Sequence, residues 1–141
     1  MEKSYSEEYN VLAYYTLSHP DMAYFIHQHF VDAYQAQNAD ENTKPIGIIF
    51  SLVGLYLYLE ENYTGKEVQN AHIELARSKK NWPEIELPLE RGAINISNVL
   101  KASPGPERDR MIREWCRSVW DAYKSSHGVI RLLFNKYFMQ A

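Results

Sequence analysis

Three histidines fall on the apolar faces of three different predicted helices, and these side chains are the best placed to do chemistry. His27, His72 and His127 each follow the inward stripe of their helix. Helical bundles assemble metal sites from imidazoles that point inward from separate helices. The pattern therefore predicts a divalent metal ion in the bundle interior. The metal content of protein purified without a chelator or a His tag tests this prediction.

Carboxylates offer further ligands for such a site. Glu60 or Asp32 can complete the coordination, and Asp32 can instead fix a histidine tautomer by accepting its second N–H. The competing interpretation is that each histidine is a core residue bonded to a tyrosine or a carbonyl, because an apolar position alone does not specify a function. His27 and His29 lie on different faces of one helix, so they do not form a metal clasp.

No motif specifies a reaction. The chain lacks a Gly-rich phosphate loop, a His-Glu-x-x-His motif and a Gly-x-Ser-x-Gly elbow. Cys116 is the only cysteine, which excludes an internal disulfide and a cysteine-based zinc knuckle. It lies between Ile112 and Val119 on an apolar stripe, so we interpret it as a buried, inert thiol rather than a nucleophile activated by Arg113 and Arg117.

Composition predicts one soluble cytoplasmic domain over residues 1–141. Hydrophobic residues make up 45% and charged residues 23% of the 141 positions, as in ordinary globular proteins. The net charge of -3 argues against nucleic acid as a partner. The N-terminal segment has no apolar run, which excludes a secretory signal. The uncharged run from Pro45 to Leu59 is too short for a membrane span, so we expect a buried core helix and no membrane partner.

Helical periodicity predicts an all-α bundle of five to six helices. The predicted helices cover about residues 6–17, 20–37, 44–62, 65–80, a short helix after Asn95, and one long helix over 107–137. The third is apolar nearly all round, which places it at the centre of the bundle. Its Gly47 and Gly54 are interpreted as points where a neighbouring helix approaches closely. Residues 81–94 contain Pro83 and Pro88 and are predicted to be irregular.

Four stretches of the chain resemble a bacterial family catalogued as domain of unknown function number 5946. They are residues 27–37 (HQHFVDAYQAQ), 52–60 (LVGLYLYLE), 91–100 (RGAINISNVL) and 115–120 (WCRSVW) with His127. The resemblance implies a shared fold and no established reaction. It supports a ligand-binding role for residues that match the family's pattern, namely His27, Asp32, Tyr34, Trp120 and His127.

The chain also departs from the pattern of that family. Many members begin with a cysteine-containing segment similar to a metal knuckle, which this chain lacks. Asn38 and Ser51 occupy positions where members often have histidine.

Two hypotheses of function remain open at this stage. The first is a metal or small-ligand site in the bundle interior near His27, Tyr34, His72 and His127, with or without enzymatic activity. The second is a non-enzymatic interaction module or homodimer that uses exposed aromatic residues such as Trp82 and Trp115. Size-exclusion light scattering separates the two, because a strict monomer weakens the second.

Overall fold

Helices account for all the regular secondary structure that the computed structural model describes, over residues 2–78 and 81–138. They are α1 (Glu2–Leu17), α2 (Ile26–Asn38), α3 (Pro45–Glu61), α4 (Gly65–Ser78), α5 (Ile96–Lys101), α6 (Pro106–Ala122), a 3-10 turn (Lys124–Ser126) and α7 (His127–Phe138). The described ranges contain no strand, which confirms the all-α prediction. The helix count exceeds the predicted five to six because the last predicted helix is divided.

The central helix of the bundle is α3. It begins with Pro45, whose fixed φ suits a first helical turn, and every residue from Ser51 to Leu59 is buried. It packs against α2, α4, α6 and α7, so apolar surface on every side of the helix is removed from water. The predicted central position of this helix is confirmed. Within the described ranges, no helix combines the length and the apolarity needed to cross a membrane.

The second helix begins later than periodicity predicts. Asp21 accepts a hydrogen bond from the Tyr24 N–H (3.0 Å), which forms a local turn. Phe25 then has φ 51°, in the left-handed region, so the backbone cannot continue as a helix across it. The Gly65 N–H at the start of α4 donates to the Tyr24 carbonyl at 2.6 Å, and a Cβ at Gly65 would collide with the Phe25 carbonyl. This tertiary contact holds the turn, and the predicted start near residue 20 is wrong.

The predicted single helix over residues 107–137 is also wrong, because the chain breaks at Tyr123. This residue is fully buried, and its hydroxyl donates to the Ala36 carbonyl on α2 at 2.6 Å. Its own N–H bonds the Trp120 carbonyl in a tighter turn, and the Ser126 N–H donates to the Tyr123 carbonyl. The break redirects α7, which packs on α3.

Local capping signals are confirmed at two helix starts. Thr64 and Glu67 form a reciprocal capping box at α4, with bonds of 2.8 and 3.2 Å. Asn95 caps α5 by accepting from the Asn98 N–H at 3.1 Å. Residues 81–94 are irregular as predicted, and Arg91 ties them to α2 by donating to the Gln37 carbonyl. The predicted end of the fourth helix near residues 79–80 lies outside the described residues.

Candidate functional site

Each of the three histidines predicted to share a metal site is hydrogen-bonded to a partner of its own. The bonds join His27 Nδ1 to Thr16 Oγ1 (2.8 Å), His72 Nε2 to the Phe50 carbonyl (2.7 Å), and His127 Nε2 to the Trp120 carbonyl (2.8 Å). Among the described residues, no group of three or more His, Cys, Asp or Glu side chains is placed to hold a metal ion. The structure therefore does not bring these imidazoles to a common point.

Trp120, His127 and Glu60 meet at the junction of α6 and α7. The His127 ring stacks on the Trp120 indole at 3.7 Å, and it donates to the Trp120 carbonyl, which also accepts the Tyr123 N–H at the helix break. The indole N–H donates to Glu60 at 2.9 Å, and this bond is the main cause of the lowered pKa of Glu60. Arg131 also bonds Glu60, at 3.3 Å. Through these contacts, the three side chains stabilise the junction between α6 and α7.

The two tryptophans proposed for a partner surface differ in exposure. Trp115 is fully buried, and its indole N–H donates to Gln37 Oε1 at 2.9 Å, so its predicted exposure is wrong. Trp82 is half-buried, with its ring edge-on to Phe50 at 5.5 Å. Tyr34 borders two clefts of about 340 and 180 Å³ beside α2.

A buried polar centre lies where α2, α3 and α6 meet; we call its members His29, Asp32, Tyr58 and Cys116 the interior polar centre. His29 is fully buried, and its ring stacks face to face on Tyr58 at 3.5 Å. Neither ring nitrogen has a hydrogen-bond partner among the described residues. Burial, aided by the charge of Arg113, lowers the pKa of His29 to about 3, so the imidazole is neutral at physiological pH.

Asp32 is the acidic member of the interior polar centre. It is 2% exposed; Oδ1 accepts from Gln28 at 3.2 Å, while Oδ2 has no partner among the described residues. Burial raises the pKa of this carboxyl well above its usual range, which favours the protonated form. A Cβ at Gly54 would collide with Oδ2. The absence of a side chain at Gly54 therefore makes room for the carboxyl group of Asp32.

Cys116 completes the interior polar centre from α6. Its thiol is fully buried and lies 3.5 Å from the His29 carbonyl, to which it donates a weak hydrogen bond. Burial is the largest cause of its raised pKa, so the reactive thiolate is disfavoured. The interpretation of Cys116 as a buried thiol is confirmed. The sequence reasoning missed His29, although its i, i+3 spacing to Asp32 places both side chains on one side of α2.

An open cleft of about 570 Å³ lies between the end of α1 and the start of α6, and we call it the α1–α6 cleft. Its volume is in the range of small-molecule sites. Most of its lining is apolar, and Val11 and Tyr14 remain 55% and 76% exposed. The lining residues are Val11, Tyr14, Tyr15, Ser18, His19, Pro20, Gly105, Pro106, Arg108 and Asp109.

Asp109 is the residue of the cleft lining on which two side-chain hydrogen bonds converge. The Tyr15 hydroxyl donates to Oδ1 at 2.6 Å, and His19 Nε2 lies 2.7 Å from Oδ2. The Asp21 N–H donates to His19 Nδ1 at 3.0 Å, which requires a lone pair on that nitrogen. His19 is therefore the neutral tautomer that carries its proton on Nε2 and donates it to Asp109. Both ring nitrogens are engaged, so this imidazole has no lone pair to offer as a general base.

The local sequence explains why Tyr15 and Asp109 meet. Gly105 has φ 106°, which a residue with a side chain rarely adopts, and Pro106 then starts α6 with a suitable φ. This geometry aims the Gly105 N–H at the Tyr15 hydroxyl, at 2.9 Å. Burial and the bond to Asp109 raise the pKa of Tyr15, so its hydroxyl stays protonated and remains a donor.

A family model matches residues 6–124 of the chain. The chain belongs to this family, DUF5946. It is described as a family of unknown function. A comparison with curated proteins and with solved structures finds no match.

The DUF5946 match includes both polar sites. It begins within α1 and ends at Lys124, so it covers the α1–α6 cleft and the interior polar centre, while α7 lies beyond it. The match brings no reaction to either site. What each site can do has to be argued from its own geometry.

Proposed function

We propose that this DUF5946 chain binds a small organic ligand in the α1–α6 cleft. The observation that carries the proposal is an open space of about 570 Å³ with apolar walls and hydrogen-bonding groups that converge on Asp109. Ligand sites in proteins combine these two features, because apolar walls supply affinity and a few oriented polar groups supply specificity.

The polar groups of the cleft are held in place before any ligand arrives. Asp109 is fixed by two donors, and the two donors are themselves fixed by the backbone N–H groups of Gly105 and Asp21. A ligand would therefore not have to order these side chains, which lowers the entropic cost of binding. Since His19 has no free nitrogen and Tyr15 remains protonated, the geometry favours binding over acid–base catalysis.

The experiment that tests this proposal is an NMR titration of the labelled chain with a small aromatic compound, 2-phenylethanol. We expect amide shifts at residues 11–20 and 105–109. Val11→Trp should fill the cleft and weaken binding at least tenfold without touching the core, because Val11 is 55% exposed. Leu132→Trp is the matched control, since Leu132 is 69% exposed and lines a different cleft of about 440 Å³. Shifts confined to other surfaces, or equal effects of the two substitutions, would refute the proposal.

The interior ligand site predicted at Asp32 stays a prediction. One observation favours it: His29 and Asp32 are buried and together have three polar atoms without a partner in the described structure. Such atoms are costly unless something satisfies them. A small ligand bound there would accept a hydrogen bond from the protonated carboxyl of Asp32 and bond the neutral imidazole of His29. The test is the same NMR titration with 2-phenylethanol. If the ligand binds at this centre, Asp32→Leu should abolish the amide shifts that the ligand causes at residues 28–32.

A further inference from the structure

We infer, on the basis of the proposed function, that the ligand of the α1–α6 cleft carries a cationic nitrogen on an apolar body. The observation behind this inference is the carboxylate of Asp109, whose side chain is 27% exposed in the lining of a largely apolar space. A carboxylate offers about four lone-pair positions, and the two described bonds use two of them. The remaining positions can accept hydrogen bonds from a ligand.

The charge of Asp109 is not neutralised by the groups that bind it. The Tyr15 hydroxyl is uncharged, and His19 is neutral because its Nδ1 accepts from a backbone N–H. Arg108 is the cation in the lining, and its guanidinium donates to the Leu100 and Ala102 carbonyls at 3.0 to 3.2 Å. Arg108 is therefore engaged at the end of α5, where the carbonyls carry partial negative charge. Because the described bonds of Arg108 go to these carbonyls and not to Asp109, the remaining acceptor positions of the carboxylate favour a cation over an anion.

The walls of the cleft suit an apolar body with a positive end. The Tyr14 ring is 76% exposed beside Val11, so it offers an aromatic face at the cleft margin. Cations are attracted to such faces, and apolar groups gain by covering them. Arg108 already covers the Tyr15 ring, at 4.9 Å, so the exposed ring of Tyr14 is the aromatic face left for a ligand. An ammonium group near Asp109 and an apolar body against Tyr14 would satisfy both features.

Three probes with the same phenylethyl body test the inference: 2-phenylethylamine as the cation, 2-phenylethanol as the neutral form and 3-phenylpropionate as the anion. In NMR titrations of the full chain, the amine should bind at least tenfold more tightly than the alcohol, and the anion most weakly. Asp109→Asn should reduce the preference for the amine to within about twofold. Asp121→Asn removes an exposed carboxylate from the same helix and should keep the preference.

The outcomes separate the inference from the proposed function. If the alcohol or the anion binds in the cleft as tightly as the amine, the inference fails and the cleft remains a ligand site. If none of the three probes shifts amides of the cleft, both fail. The ranking in the unmodified chain decides the inference even if Asp109→Asn does not fold. Tyr15→Phe gives a second check, because it removes a donor while keeping the carboxylate charge, and it should preserve the amine preference.

Discussion

The interior polar centre makes a quantitative prediction about stability and pH. His29 is neutral in the native state, with a pKa of about 3, and takes up a proton in the unfolded chain below its ordinary pKa of 6.5. Acid therefore favours unfolding through His29. Asp32 has a raised pKa, so it holds a proton in the native state and loses it in the unfolded chain above 3.8. Acid therefore favours folding through Asp32.

The two effects have opposite signs, so they offset each other. Each proton difference changes the free energy of unfolding by about 1.4 kcal/mol per pH unit. From about pH 6 to about pH 4.5, protonation of His29 in the unfolded chain lowers the free energy of unfolding by about 2 kcal/mol, and Asp32 acts in the opposite direction. The pH dependence of the native chain should therefore be weaker than that of a chain without Asp32. A substitution that removes either His29 or Asp32 should reveal the pH dependence of stability that the other residue causes.

The assay is urea unfolding followed by tryptophan fluorescence at about pH 6 and about pH 4.5. Asp32→Asn imitates the protonated acid and removes the opposing effect, so we expect it to lose about 2 kcal/mol over this range, the full effect of His29, and more than the native chain loses. His29→Phe keeps the stack on Tyr58, and we expect it to gain about 2 kcal/mol relative to the native chain. Asp121→Asn, on the exposed face of α6, is the control and should follow the native chain. Parallel pH profiles for all four proteins would refute the reasoning.

Two further predictions concern the same centre. Gly54→Ala should destabilise the fold by about 1–3 kcal/mol, because its Cβ would collide with Asp32, and Asp32→Ala in the same chain should recover part of the loss. Urea unfolding measures both, and additive effects of the two substitutions would contradict the collision. Cys116 should react with a thiol reagent at least on the order of 10³-fold more slowly in the native chain than in the unfolded chain, because it is fully buried. Rapid labelling in the native chain would contradict its burial.

Local signals in the sequence were sufficient for much of the fold. The apolar run over α3 predicted its central place, and the side chains of Thr64 and Asn95 predicted two helix starts, since capping depends on neighbours in the chain. The two errors arose where distant contacts override periodicity. A bond from Gly65 fixes the turn before α2, and a bond from Tyr123 to α2 fixes the break after α6.

The candidate sites were harder to predict than the helices. Tyr15, His19 and Asp109 meet although Asp109 lies 90 or more positions from the other two, so no spacing rule connects them. His29 carried a local signal, its i, i+3 spacing to Asp32, which a search for histidine pairs overlooked. The apolar position of His27 did not indicate that it would bond to Thr16 rather than to a metal ion or ligand shared with the other histidines.

The central place of α3 has a consequence for synthesis of the chain. Two of its neighbours, α6 and α7, begin only about 45 and about 65 residues after α3 ends. At ordinary elongation rates of about 5–20 residues per second, part of the apolar surface of α3 is exposed to water for several seconds before α6 and α7 are synthesised. Chains truncated before Pro106 would keep the same surface exposed permanently and should aggregate.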